Sequence, residues 1–172
     1  MTNKELDKYI LEYIGGSDDA FDVIYQETYQ SVYYTILLIT KNVSIIDDYV
    51  QDTYLQMINK IKTYQIGTNF KAWICRIAHN LTINGVVKRD KEIPLALSRE
   101  TEHIFGEAPK KDERIDKALD LLIGDEKEIF VHLIIEGFSV KETAEIMKIN
   151  LNRAYYLKKK MEETLKIIIE NY

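Results

Sequence analysis

An all-α protein of two small helical domains joined by a flexible linker is the fold class the sequence predicts, on three observations. Apolar residues recur at three- and four-residue intervals along almost every segment. Glycine stops and N-cap residues punctuate these segments. Both prolines, Pro94 and Pro109, fall in "RDKEIPLALSRETEHIFGEAPKKDER", which is charged, has no sustained period and separates two periodic halves. The expected organisation is a helical bundle over residues 1–89, a linker over 90–113 and a second helical domain over 114–172.

The first element is "NKELDKYILEYIGG", with Leu6, Tyr9, Ile10, Tyr13 and Ile14 on one face and a stop at Gly15-Gly16. The second, "DDAFDVIYQETYQSVYYTILLITK", has Ser17 as expected N-cap and apolar positions at 21, 24, 25, 28, 32 and 36. The third, "SIIDDYVQDTYLQMINKIKTY", is expected to open on Ser44 as cap with Asp47 at the third helical position. After a loop marked by Gly67, the fourth begins at Thr68 or Asn69 and places Phe70, Trp73, Ile74, Ile77, Ala78 and Leu81 in one apolar stripe. Trp73 therefore reads as a core residue rather than a stacking platform for a base.

Beyond the linker, helical period resumes and breaks at Gly124 and Gly137. Ser139 and Glu142 are spaced as a capping box, and Asn150 is placed to cap a last helix after the turn at Lys148-Ile149. A short helix, a tight turn and a longer basic helix suit a helix-turn-helix unit whose second helix enters a major groove, although an αα-hairpin in a bundle has the same pattern.

With 172 residues, 46% of them hydrophobic, the chain has material for one modest core or two small ones. The longest apolar run, 32–39, is too short to cross a bilayer, and the charged start "MTNKELDKYI" does not suit a signal peptide, so a cytoplasmic location is expected. The single cysteine, Cys75, leaves no intramolecular disulfide and fits a reducing compartment. The net charge of −5 conceals a strong asymmetry. Residues 1–56 carry ten acids and three bases; 57–91 carry seven bases and one acid; and 148–160 carry five bases and no acid. Each basic block alone reads equally as a solvated face, but two blocks beside aromatics favour a polyanion partner.

Cys75 and His79 have metal-ligand spacing, yet His103 and His132 lie in other segments, so no metal or other cofactor is expected. The chain has no glycine-rich phosphate loop, nucleophile motif or paired carboxylate in an evident pocket, and no catalysis of its own is expected.

Three stretches, taken in order, carry a family likeness. "IIDDYVQDTYLQMINKI" resembles the second region of bacterial sigma factors. "FKAWICRIAHNLTIN" is similar to the next helix of the extracytoplasmic-function group, and "IFVHLIIEGFSVKETAEIMKIN" to that group's fourth region. Together they span most of the chain from Phe21 to Leu165. Asn84 stands where the family commonly has aspartate, and the last helix departs from the family's Ser-x-Gly-Thr-Val-Lys-Ser-Arg run, so the scaffold positions match better than those that read DNA.

The resemblance implies a factor that binds core RNA polymerase at its clamp helices and flap, and directs promoter recognition, melting and initiation. Its implied polymerase-binding residues are Asp47, Asp48, Gln51, Asp52 and Tyr54. Family members use the fourth helix and the loop before it to capture the separated non-template strand of the minus-ten element. The corresponding residues are Asn69, Lys71, Arg76, His79, Asn80, Asn84, Lys88 and Arg89. An asparagine suits the edge of a flipped base, and lysine and arginine suit phosphates. The last helix offers Asn152, Arg153, Tyr155, Tyr156, Lys159 and Lys160 to the minus-thirty-five element. Promoter DNA and an anti-sigma factor are the further partners implied. Two other classes compete: a helix-turn-helix regulator acting on duplex DNA without polymerase, and a helical interaction adaptor. The motif with Gln51 and Asp52 speaks against the first and the two basic blocks against the second.

Overall fold

The computed structural model describes residues 1–40, 42–89 and 112–169, with the side chains of 87–89 and 167–169 excepted. All regular structure among the described residues is helical. The chain divides into two compact units, Met1–Pro109 and Lys110–Tyr172. The prolines and the body of the expected linker lie outside the described residues.

The first unit opens with α1 (Asn3–Ile14), whose start is fixed by a capping box: the Thr2 hydroxyl accepts from Glu5 N–H at 3.3 Å, and the Glu5 carboxylate accepts from Thr2 N–H at 2.8 Å. Such a box satisfies two orphan donors and is worth about 1 kcal/mol. The helix ends at Gly15, and the turn passes through Gly16 at φ 100°. The long α2 (Asp18–Thr40) lies centrally, packed against α1, α3 and α4. That position explains why Ser31 to Ile36 are buried without interruption: a helix with neighbours on several sides has no solvent face left.

Asn42, not Ser44, starts the next element. Its side chain accepts from Ser44 N–H at 3.1 Å and opens a short 3₁₀ turn, Val43–Ile45, after which α3 (Ile46–Lys60) begins without a side-chain cap. A second 3₁₀ turn, Ile61–Thr63, leads to the loop before α4 (Phe70–Arg89). Asn69 caps α4, its Oδ1 accepting from Ala72 N–H at 3.1 Å.

The buried face of α4 is rotated from the expected stripe. Phe70, Ala72, Ile74, Cys75, Ala78 and Thr82 are buried, whereas Trp73, Ile77 and Leu81 are only half-buried. The cause is packing against α2 and α3 at once. Small residues let two helix axes approach closely, so the larger side chains are displaced to the margins of the contact. Trp73 accordingly lies at the edge, with its ring 5.3 Å from Phe70 and 5.5 Å from Tyr64, rather than in the core as expected.

In the second unit, Asp112 caps α5 (Glu113–Leu121) by accepting from Arg114 N–H at 2.9 Å. Gly124, at φ 50°, precedes α6 (Asp125–Phe130), which continues into a π-type turn, Val131–Ile135. There His132 is buried with its Nδ1 2.5 Å from Glu136 Oε2, a structural pairing. The Ser139–Glu142 box opens α7 (Val140–Ile146), and Asn150 caps α8 (Leu151–Ile169) by accepting from Arg153 N–H at 2.8 Å, both as the sequence predicts. Ala154, Leu157 and Met161 seat α8 against α6 and α7.

Candidate nucleic-acid and protein interfaces

Three surfaces carry the residues singled out in the sequence. On α3, Asp47 and Asp52 are exposed and Asp48 is half-buried. Asp47 lies close enough to Tyr25 and Tyr29 that, after burial itself, its charge is the next cause opposing their ionisation. Gln51 is 9% exposed and Tyr54 is wholly buried. The expected role of Tyr54 in polymerase contact is therefore corrected: its hydroxyl lies 2.8 Å from Thr28 Oγ1, inside the bundle, and it supports the surface from beneath. Leu55 was missed by the sequence reading. It is 41% exposed beside Asp52, an apolar residue out of phase with the buried set Tyr49, Val50, Thr53, Tyr54 and Met57. The surface is thus an acidic strip with an apolar member, the composition of a protein-binding rim.

On α4, Arg76, Asn80 and Asn84 are exposed. At 100° per residue they fall within a strip about 100° wide, together with Ile83, which is 39% exposed and was not among the residues the sequence singled out. Asn69, half-buried, stands at the head of this strip, and half-buried His79 at its flank. Lys71 is not brought together with them. It is half-buried and lies roughly 140° around the helix from Arg76, beside the packed face. The side chains of Lys88 and Arg89 lie outside those described.

The loop between the second 3₁₀ turn and α4 is closed on itself. Thr68 N–H donates to Gln65 O at 3.2 Å, the Thr68 hydroxyl donates to the same carbonyl at 2.7 Å, and Gly67 takes φ 88°. Gln65, Ile66 and Thr68 are left exposed at its tip. The signal for Ile66 was available: an apolar residue before Gly67, in a turn, has no core to enter.

In the second unit Asn152, Arg153, Tyr155, Tyr156, Lys159 and Lys160 are all exposed, on the side of α8 opposite Ala154, Leu157 and Met161. Tyr155 and Tyr156 are 54% and 56% exposed. The Arg153 guanidinium stands 5.3 Å over the Tyr156 ring and 3.2 Å from Asp125. Lys160 is held by Glu126, whose carboxylate also accepts from the Thr164 hydroxyl at 3.2 Å. An exposed set of amide, aromatic and cationic groups on a capped helix after a tight turn is suited to a major groove. Among the described residues there is no cluster of metal-ligating side chains and no helix long and apolar enough to cross a membrane.

Two helical units thus present an acidic strip with an apolar member on α3, a strip of arginine and asparagines on α4, and an aromatic and cationic face on α8. The family model described as Sigma-70 region 2 matches residues 24–92, a span that takes in the α3 and α4 faces. The chain is 22% identical over 143 residues to the ECF RNA polymerase sigma factor SigX of Bacillus subtilis (strain 168), covering 76% of this chain and 74% of that one. It is 30% identical over 119 residues to the ECF RNA polymerase sigma factor EcfG of Rhodopseudomonas palustris (strain TIE-1), covering 63% of this chain and 66% of that one. Of solved structures, that of CnrH in complex with the cytosolic domain of CnrY shares the fold, with a TM-score of 0.55 and 15% identity over 99% of each chain. In sequence the chain is thus similar to extracytoplasmic-function sigma factors of the sigma-70 family.

Proposed function

We propose that the chain is an initiation factor that carries core RNA polymerase to promoters, with each of the three faces given one task. The α3 strip of Asp48, Asp52 and Leu55, with Asp47 and Gln51 at its edge, docks on the clamp helices. The α4 strip of Arg76, Asn80, Ile83 and Asn84, together with the loop tip, takes the separated strand of the minus-ten element; asparagine meets a base edge while arginine follows phosphate. The exposed face of α8 reads the upstream element as duplex, with the second unit set against the flap. An anti-sigma factor that masks these faces belongs to the same proposal, as does action in the cytoplasm as a regulator rather than an enzyme.

The match of the region 2 family model across residues 24–92 is the observation that carries this reading, because it spans the helices on which the first two faces lie. A regulator acting without polymerase would have no use for the α3 strip. The test combines core polymerase capture with transcription from a pre-melted template. Asp52→Lys should weaken capture while helix content is kept, since the side chain is exposed and reversing its charge opposes the docked partner. Unchanged capture by a folded Asp52→Lys protein would show that the docking face lies elsewhere.

A further inference from the structure

Asp7 is a buried carboxylate on α1, 7% exposed, and both of its oxygens are committed to the loop before α4. Oδ1 accepts from the Tyr64 hydroxyl at 2.9 Å, and Oδ2 accepts from the Gly67 backbone N–H at 2.8 Å. The Tyr64 hydroxyl shares its single proton with the Thr68 carbonyl, 3.0 Å away. Burial raises the Tyr64 phenol to about 12, so this donor stays protonated under ordinary conditions. The Tyr64 ring in turn stands edge-on to Phe70 at 5.0 Å, in the first turn of α4. One carboxylate therefore ties the turn at Gly67 to a helix 60 residues earlier in the chain.

A carboxylate is a costly way to fasten one helix to a loop. Taking it out of water is unfavourable unless its acceptor sites are filled, and an apolar contact would serve cohesion alone. The neighbours Leu6 and Ile10 already provide that cohesion, being 1% and 0% exposed. What a two-oxygen acceptor adds is geometry: it fixes the hydroxyl and the amide at once. The side chains of Gln65, Ile66 and Thr68 are thereby held in one arrangement relative to the Asn69 cap and the α4 strip.

We infer that Asp7 is a positioning residue for base selection, setting through Tyr64 and Gly67 the shape of the loop that meets the separated strand. The inference rests on the function proposed above, and α1, where Asp7 resides, lies before the residues that the family model matches. A loop freed from this tie samples other shapes, and displacement of a positioned group by about 1 Å is enough to lose much of its selectivity. The effect falls on discrimination between bases, not on docking to polymerase.

The experiment uses the full chain with core polymerase on pre-melted templates carrying each base in turn along the minus-ten element. Asp7→Asn keeps one acceptor oxygen and turns an NH₂ group toward the other donor; Tyr64→Phe removes the hydroxyl and keeps the ring. Both variants should capture polymerase normally, lose hydrogen-exchange protection at the Gly67 amide, and lose roughly threefold to tenfold in discrimination at one base position. The position governed by Asn80 should keep its preference, and the double variant should lose little more than either single one. Full discrimination alongside a deprotected Gly67 amide overturns the inference. If Asp7→Asn does not fold, Tyr64→Phe decides the matter alone. A wild-type chain with no base preference on any pre-melted template overturns the function proposed for the loop, and this inference with it.

Discussion

The ring of Tyr49 lies across Gly85: a Cβ added at Gly85 would stand 2.2 Å from the Tyr49 hydroxyl oxygen, 2.7 Å from Cε1 and 2.8 Å from Cζ. This is where α3 and α4 approach closely, and it explains a glycine inside a helix, where glycine ordinarily costs about 1 kcal/mol relative to alanine. Tyr49 is 7% exposed, so its ring has little room to retreat. Gly85→Ala should therefore destabilise the first unit by about 1–3 kcal/mol instead of stabilising it. Chemical denaturation checks this, and a gain in stability would show that the ring yields easily.

The tyrosines of the bundle give it a defined alkaline limit. Burial raises the phenols of Tyr25, Tyr29 and Tyr54, and Tyr64 is raised to about 12 by the same cause. An acid whose folded pKa exceeds the unfolded value favours the fold in its protonated form. The stability it contributes is complete below about pH 10, the unfolded value, and is lost as pH climbs toward the folded values. Unfolding on titration above about pH 10 should thus coincide with the rise of phenolate absorbance. Tyr54→Phe should blunt that transition and cost about 1 kcal/mol at neutral pH, through the lost contact with Thr28. Polymerase capture should be untouched, because Tyr54 has no exposed surface.

Which parts of this were legible in sequence follows from what periodicity measures. It locates the helices and the capping box at Ser139 and Glu142, because those depend on neighbours three and four residues apart, but it passed over the box at Thr2 and Glu5 and put at Ser44 a cap that falls on Asn42. It does not report how many partners a helix has. The stripe read along α4 was therefore displaced toward Trp73 and Leu81, when two packing partners bury Ala72, Cys75 and Thr82. The same limit placed Tyr54 on a docking surface from its motif, although its hydroxyl is satisfied by a residue 26 positions away. The turn at Lys148 shows the converse. Lys148 adopts φ 55°, with Lys148 N–H on Glu145 O and Ile149 N–H on Ala144 O, a closure usually given to glycine and here imposed by the packing of α7 on α8.

The α4 strip yields a contrast between reading and positioning. Asn80→Ala should change preference at one base, since a lost base-edge bond acts at one position. Arg76→Ala should weaken strand binding across sequences and reduce the salt slope by about 1. Lys71→Ala should do neither, because it lies around the helix from that strip. A panel of pre-melted templates at several salt concentrations separates the three. Uniform loss by the Asn80 variant would remove its assigned role.

Four cations of α8 stand in ion pairs, and this bears on how the free chain would meet duplex DNA. Arg153 is 3.2 Å from Asp125, Lys158 3.7 Å from Glu162 and Lys159 3.8 Å from Glu163, while Lys160 is held by the buried Glu126. Exposed pairs contribute about 0–1 kcal/mol and yield to a phosphate, but Lys160 is tied to a carboxylate that also receives Thr164. The first 56 residues add ten acids against three bases, which repel the same polyanion. Alone, the chain should bind promoter duplex weakly, with strong salt sensitivity, and gain sequence-specific binding when core polymerase is added. Asp125→Asn should release Arg153 and raise duplex affinity of the free chain across sequences, steepening the salt dependence by about one counterion. Gel-shift assays over a salt series, with and without core enzyme, measure both effects. Tight and specific duplex binding by the unassisted chain would favour a regulator that works without polymerase, and an Asp125→Asn protein with unaltered affinity would place Arg153 away from the DNA.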